Sequence, residues 1–276
     1  MGPTAKSLIL DLLATLREGS MPVRALVAAG ALFGLDDNNV RVALARLLAA
    51  GLVERDERGR YRAGERAEAI GRRIGRWRHV EDGLRAWDGG WVAVLGVSGR
   101  AAAQRSPRAL RFFAFRELAP GVHVRPDNLA GGAAAVREQL RALGLGPDAI
   151  VATLHDLDDA ARARALALWD GAALRAAYRR SRSQLAASGK RLGRLSAAAA
   201  MVESFVLGGR VIREIVLDPL LPEPLVPAAE RAALVAAMRA YDRHGRTCWA
   251  AFMREFDVLP ERRAPAHLRI AEEAVA

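Results

Sequence analysis

The sequence predicts an α+β multidomain protein, and three observations carry that reading. Residues 36–63 pass from helical periodicity to a glycine stop and then to two short strand-like runs around a charged turn. Residues 89–154 alternate apolar strand-like runs with helical ones. From Asp158 onward the pattern is helical, with breaks. The implied division is 1–65, a connecting helix over 66–88, a mixed α/β domain over 89–170, and a helical part over 171–276.

The first segment builds up element by element. Thr4 can cap a helix over about 4–17, whose apolar face is Leu8, Leu12, Leu13 and Leu16. Gly19-Ser20 ends it, and Pro22 suits the first turn of a second helix over about 22–33. Gly34 closes that helix, and Asp36 or Asp37 caps the third. In the third helix Val40, Leu44, Leu47 and Leu48 share one face, while Asn38, Asn39, Arg41 and Arg46 fall mostly elsewhere. Gly51 stands where a helix C-terminal glycine belongs. Leu52-Val53 and Arg60-Tyr61-Arg62 then flank the turn Asp56-Glu57-Arg58-Gly59. Three helices and a basic hairpin form the layout of a winged helix-turn-helix, a DNA reader.

The later segments are less sharply marked. Residues 64–87 read as a helix bearing Arg66, Arg72, Arg73, Arg76 and Arg78. Trp91–Val97 is a buried strand, Ser106-Pro107 opens a helix to about Leu118, and Gly121–Arg125 is a strand ended by Pro126. A helix over 132–143 and a strand over Ile150–Leu154 follow. That order suggests a split βαβ, ferredoxin-like sheet, with one strand not visible in the sequence. Beyond it, Ser188-Gly189 reads as a helix break, helices are expected over 195–208 and 227–256, and the proline-rich stretch Asp218–Pro224 reads as a fixed extended loop.

Composition bounds the function classes. The chain has 276 residues with 51% hydrophobic and 26% charged, a globular balance. The 42 basic residues against 31 acidic give a formal charge of +11, which favours polyanionic partners. Lysine occurs only at Lys6 and Lys190, so the excess is nearly all arginine, as a GC-rich coding bias also produces. Local placement therefore weighs more than the total. Cys248 is the single cysteine, which excludes an internal disulfide and a multi-cysteine metal site. No signal-like start or long apolar run stands out, so a cytoplasmic location is expected.

The candidate DNA contacts follow from side-chain chemistry. Arg41 and Arg46 can pair bidentately with guanine, and Asn38 and Asn39 with adenine. Arg58, Arg60 and Arg62 on the wing can reach phosphate or the minor groove, and Tyr61 reads as the apolar seal of the wing. No catalytic constellation stands out: His79, His123, His155, His244 and His267 are scattered, and His155 with Asp156 and Asp158 reads as a helix cap. Neither a cofactor nor a metal is expected.

The series VRVALARLLAAGLVERDERGRY, LAPGVHVRP, Leu168-Trp169 and DPLLPEPLVP, in this order, resembles the PaaX family of bacterial transcriptional regulators. The resemblance implies an N-terminal winged helix, a middle ferredoxin-like domain similar to the Cas2 fold, and a helical C-terminal domain. It also implies a homodimeric repressor of aromatic-acid catabolism, released by an acyl-CoA effector such as phenylacetyl-CoA. Arg175, Arg179, Arg180 and Arg182 open a basic stretch with no acid in its sequence that could meet the phosphates of such an effector. The chain departs from the family pattern at Ala114-Phe115, where a glycine-phenylalanine pair is usual, at His123, and after the proline-rich loop. Two rivals remain: an effector-independent nucleic-acid-binding protein, and a Cas2-like metal-dependent nuclease. The second is disfavoured because the first strand of the middle domain ends Leu95–Gly99 without a carboxylate to hold a metal.

Overall fold

The computed structural model describes residues 2–16, 19–56, 59–65, 67, 75–96 and 109–258. It is a mixed α/β structure with two small antiparallel sheets. The chain divides into two compact units: Met1–Gly75, Ser188–Gly208 and Asp242–Ala276 form the first, and Arg76–Ala187 with Gly209–Tyr241 the second.

The first unit starts with α1 (Ala5–Ala14), β1 (Met21–Pro22), α2 (Val23–Leu32), α3 (Asp37–Ala49), β2 (Val53–Arg55) and β3 (Arg60–Ala63). The helix boundaries follow the local chemistry. Thr4 and Asp36 cap α1 and α3, their side chains accepting from the N–H groups of Ser7 and Asn39. Gly34 and Gly51 both have left-handed backbones, φ +73° and +64°. The following residues, Leu35 and Leu52, donate back to Gly30 and Leu47, which closes each helix in a Schellman turn. The sheet order is β1-β3-β2, with Met21 opposite Tyr61 and Val53 opposite Ala63. Strand β1 was not foreseen from the sequence. Its two residues add an edge to the expected hairpin.

The core of this unit is Leu8, Ile9, Leu12, Leu13 and Leu16 against Leu26, Val40, Leu44 and Leu47. Leu48, expected on the same face, is 41% exposed and lies at the edge of the apolar stripe. Where α2 crosses α3, Gly30 leaves room for Val40: a Cβ built on Gly30 would stand 2.5 Å from Val40 Cγ2. Met201, Trp249, Phe252 and Val258, from far along the chain, complete the same core. The indole N–H of Trp249 donates to the Met201 carbonyl at 3.2 Å, and Phe33 packs edge-on to Phe205 at 5.2 Å.

The second unit contains a 3-10 segment (Arg76–Gly83), β4 (Trp91–Leu95), β5 (Arg116–Ala119), β6 (Val122–Pro126), α4 (Gly132–Ala142), β7 (Ile150–Leu154) and α5 (Asp159–Leu166). All its strands pair antiparallel in the order β5-β6-β4-β7. Val92, Val94, Phe113, Phe115, Val136, Leu140 and Val151 form its core. Two expectations need correction here. The helix expected to reach Leu118 ends at residue 112, and residues 116–119 are β5, the strand that was not visible. The cause is Ala114, whose left-handed φ of +57° stops the helix while Phe115 N–H donates to the Leu110 carbonyl at 2.9 Å. An alanine there hides a stop that glycine would have announced. The connecting helix expected over 66–88 is 3-10 where Arg76–Gly83 is concerned. Arg66, Arg72 and Arg73 lie outside the described residues.

Three long helices, α6 (Gly171–Leu192), α7 (Ala197–Val216) and α8 (Ala228–Glu255), contribute residues to both units. Ser188-Gly189 does not break α6, nor does Gly208-Gly209 end α7. Serine and glycine lower helix propensity by no more than about 1 kcal/mol each, and packing along a long helix overrides that. The hydroxyl of Ser188, buried, donates to Glu203 Oε1. Of the helical part expected over 171–276, residues 171–187 and 209–241 fall in the second unit and 188–208 and 242–276 in the first. Among the described residues, no helix is long and apolar enough to cross a membrane.

Trp249→Ala is expected to destabilise the first unit by about 3–5 kcal/mol, read from the denaturant midpoint. Gly30→Val, which forces α2 away from α3, should cost about 1–3 kcal/mol. A fragment ending at residue 65 lacks Met201, Trp249, Phe252 and Val258, and should melt well below the full chain.

Candidate nucleic-acid interface

The apolar edge of α3 fixes which of its side chains face outward. With Val40, Leu44 and Leu47 buried, the exposed residues of α3 include Asn38, Asn39, Arg41, Val42, Ala45 and Arg46. Asn39 is partly committed to the helix start: its backbone N–H reaches Asp36 Oδ1 at 2.7 Å and its amide Nδ2 reaches Oδ2 at 2.6 Å. Asn38 carries no such role in the cap. Arg41 donates from Nε to Asp37 Oδ1 at 2.5 Å and from Nη2 to Oδ2 at 3.3 Å, both side chains being more than half exposed. An exposed pair of this kind is worth about 0–1 kcal/mol, so a phosphate or base edge can replace Asp37. Val42 was not singled out in the sequence. It is 40% exposed among polar neighbours, where an apolar contact to a base methyl is chemically suited.

The wing arginines divide into different roles. Arg62 is exposed and pairs across the strands with Glu54 at 2.8 Å, the register placing the two residues opposite each other. Arg60 is half-buried. Its Nε donates to Ser20 Oγ at 2.9 Å, and its Nη2 donates to the carbonyls of Ser20 at 2.8 Å and Asp257 at 3.0 Å. Arg60 thus ties the hairpin to the chain before β1 and to the residues that follow α8. Tyr61 is half-buried against the core, as a seal should be, and the Arg55 guanidinium lies 6.0 Å from its ring centroid. Gly59, at φ +75°, closes the turn by donating to the Asp56 carbonyl, and Asp56 Oδ1 accepts from the Arg60 N–H at 2.8 Å. Arg58 lies outside the described residues.

The second cluster expected from the sequence lies on α6. Arg179 and Arg180 are exposed, Arg182 is exposed, and Arg175 is half-buried. The stretch has no acid in its sequence, but α8 brings Glu230 to it. Arg179 Nη2 lies 2.8 Å from Glu230 Oε1, and Arg182 Nη1 lies 3.4 Å from Oε2. The hydrogen bond from Arg179, with the charges of Arg182 and Arg175 behind it, holds the Glu230 carboxyl below its usual pKa. Farther along α6, Arg191 pairs with Glu203 at 2.5 Å. The arginine row is therefore partly neutralised by acids from neighbouring helices.

Two arginines of the second unit, Arg125 and Arg231, are buried, which no local pattern in the sequence signals. Arg125, 3% exposed, donates to the carbonyls of Phe113 at 2.8 Å and Pro126 at 3.2 Å and to Asn128 Oδ1 at 3.2 Å. Burial lowers its pKa to about 10, which leaves it charged at neutral pH. Arg231 donates to the Leu221 carbonyl at 3.1 Å. Nearby, the Tyr178 hydroxyl donates to Asp218 Oδ2, and burial raises both the Tyr178 and Asp218 pKa values. These groups anchor the loop that begins at Asp218. Cys248 is half-buried in the first unit, and desolvation pushes its thiol pKa up. Among the described residues no group of three or more His, Cys, Asp or Glu side chains is arranged to hold a metal.

Comparisons with known proteins bear on the first unit above all. The family model described as PaaX-like protein matches residues 4–66, the span of α1 to β3. This is the family that the sequence motifs resemble. A comparison with curated proteins finds no match. Among solved structures, the chain is similar to the uncharacterized protein Rv0674 from Mycobacterium tuberculosis, at 26% identity and a TM-score of 0.61, covering 89% of this chain and 98% of that one.

Arg60→Ala should destabilise the first unit by about 1.5–3 kcal/mol, since it removes charge-assisted hydrogen bonds to half-buried Ser20. Arg62→Ala should change stability by less than about 1 kcal/mol, as expected for an exposed pair. Thermal unfolding of the two variants checks the contrast.

Proposed function

We propose that this chain is a DNA-binding transcriptional regulator whose first unit is a winged helix and whose second unit carries a ferredoxin-like, Cas2-like sheet. The observation that carries the reading is α3: a helix held by its apolar edge, with Asn38, Arg41, Val42 and Arg46 outward, next to a hairpin bearing Arg62. The order α1-β1-α2-α3-β2-β3 with a three-stranded sheet supports the winged helix. The strand order β5-β6-β4-β7, with α4 between β6 and β7 and a helical segment before β5, supports the ferredoxin-like assignment. The match of residues 4–66 to the PaaX-like family supports a regulatory role.

In this reading α3 enters the major groove. Arg41 exchanges Asp37 for a base edge or phosphate, Asn38 and Arg46 read or clamp the duplex, and Arg62 with Arg58 lies along the backbone. Arg60 supports the wing from inside rather than touching DNA. The regulator acts as a homodimer, and a symmetric pair reads half-sites separated by roughly 34–36 Å or a multiple of it. It represses an aromatic-acid catabolic operon and is released by an acyl-CoA effector. Because Glu230 already occupies Arg179 and Arg182, an effector seated there must displace a carboxylate. Phosphates of higher charge can do so.

Selection of bound sequences from random duplexes tests the reading: one recurring motif is expected, with affinity falling steeply as salt rises. Arg46→Ala and Arg41→Ala should each cost about 1–3 kcal/mol in operator binding if they contact bases, or weaken all duplexes alike if they contact phosphate. Equal, salt-independent affinity for every sequence would overturn the proposal. Glu230→Gln should tighten binding of an acyl-CoA thioester if the α6 arginines hold it. Unchanged affinity would remove them from that role.

A further inference from the structure

We propose that an open cleft in the second unit binds a small organic acid with an apolar body, a medium-chain monocarboxylate by class. The cleft has a volume of about 380 Å³. That lies near the lower end of small-molecule sites, roughly 300–1,000 Å³, and suits a compact acid better than a nucleotide-bearing thioester. It is separate from the α6 arginine row, and its existence does not depend on DNA binding.

The lining combines an apolar floor with cations at the rim. Leu168, Trp169, Leu174, Leu217 and Pro219 supply the floor and walls. Leu217 is 58% exposed, among the most open large apolar side chains of the described residues. Arg111 and Arg116, both exposed, line the same cleft. Arg116 uses Nη1 to donate to the Phe115 carbonyl at 3.2 Å, and a guanidinium has five N–H donors in all. One acid, Asp170, also lines the cleft, but its Oδ1 accepts from the Ala173 N–H at 2.8 Å and so caps α6. Arg116 therefore keeps N–H donors for a ligand, while the one acid that lines the cleft is already engaged as a helix cap.

The walls are held in place before any ligand arrives. Trp169 donates its indole N–H to the Ala114 carbonyl at 3.1 Å and stacks on buried Trp91, ring centroids 6.0 Å apart and planes 12° apart. The wall at Pro219 is set by its neighbours. Leu220 has a left-handed φ of +54°, its N–H donates to Asp218 Oδ1 at 2.7 Å, and its carbonyl accepts from Asn128 Nδ2 at 2.6 Å. A site whose walls are fixed in advance loses little freedom on binding, which favours a small ligand. A carboxylate at the rim gains charge-assisted hydrogen bonds from arginine while its chain covers Leu217 and the edge of Trp169.

Titration calorimetry of the full chain with octanoate and with octanamide, its uncharged counterpart, tests the proposal. One equivalent of octanoate should bind saturably, and octanamide about tenfold more weakly or less, as expected when a charge-assisted hydrogen bond is lost. Arg116→Ala should weaken octanoate by a similar factor with unchanged thermal unfolding. Ala173→Trp, at an exposed lining position, should fill the cleft and abolish binding even if Arg116→Ala proves unstable. Arg46→Ala should leave octanoate binding intact, which separates this site from the DNA-binding proposal. Equal affinity for the acid and the amide, binding that survives Ala173→Trp, or no binding up to about 10 mM, a weak-affinity bound of a few kcal/mol, would each overturn it.

Discussion

The first unit depends on keeping the apolar edge of α3 buried. Val40, Leu44 and Leu47 must stay inside for the polar residues of the same helix to point outward, because side chains on a helix cannot rotate independently of its axis. Gly30 lets α2 approach closely enough to hold that edge, and Schellman turns at Gly34 and Gly51 set where α2 and α3 stop. The core is then closed by Met201, Trp249, Phe252 and Val258. A candidate DNA-facing surface formed by the first quarter of the sequence is thus stabilised by residues from its last third. Arg60 repeats the theme in polar form, since it joins β3 to Ser20 and to the Asp257 carbonyl.

The arginines of this chain show why charge read along a sequence misleads. Arg175 to Arg182 look like an uncompensated cationic run, yet Glu230 of α8 sits against Arg179 and Arg182. Arg60 and Arg125 look like surface charges in a basic protein. The structure uses the first as a brace and buries the second among carbonyl oxygens. Arg41 is exposed but holds Asp37. Arginine tolerates these settings because its fork of donors can satisfy several oxygens at once and it stays ionised when buried. The count of 42 basic residues therefore overstates the free positive charge available to a polyanion.

In the second unit the organising groups are polar and interior. Arg125 and Asn128 fix the β6 end, Tyr178 and Arg231 fix the loop from Asp218 to Leu221, and Trp169 is braced on Trp91. Each hydrogen bond between buried polar groups favours one arrangement, because an alternative leaves its donor or acceptor unpaired. This is the setting of the cleft beside Trp169, whose walls are backbone and ring positions set by such bonds.

Elements whose cause is local can be read from the amino acids alone. Thr4, Asp36, Gly34 and Gly51 mark helix ends through hydrogen bonds within a few residues, and the outward polar face of α3 follows from its periodicity. Strands β4, β6 and β7 were legible as apolar runs with turn residues at their ends. Other features depend on contacts between distant parts of the chain. Strand β5 was hidden because Ala114, not glycine, adopts the left-handed turn that ends the preceding helix. Ser188-Gly189 reads as a break and a helix end is expected at residue 208, but α6 and α7 run through these positions because packing outweighs a small propensity deficit. The partners of Arg60, Arg125 and Arg179, and the residues that close the first core, lie far away along the chain. No spacing rule could bring them together, since only the folded path sets which distant groups share a place.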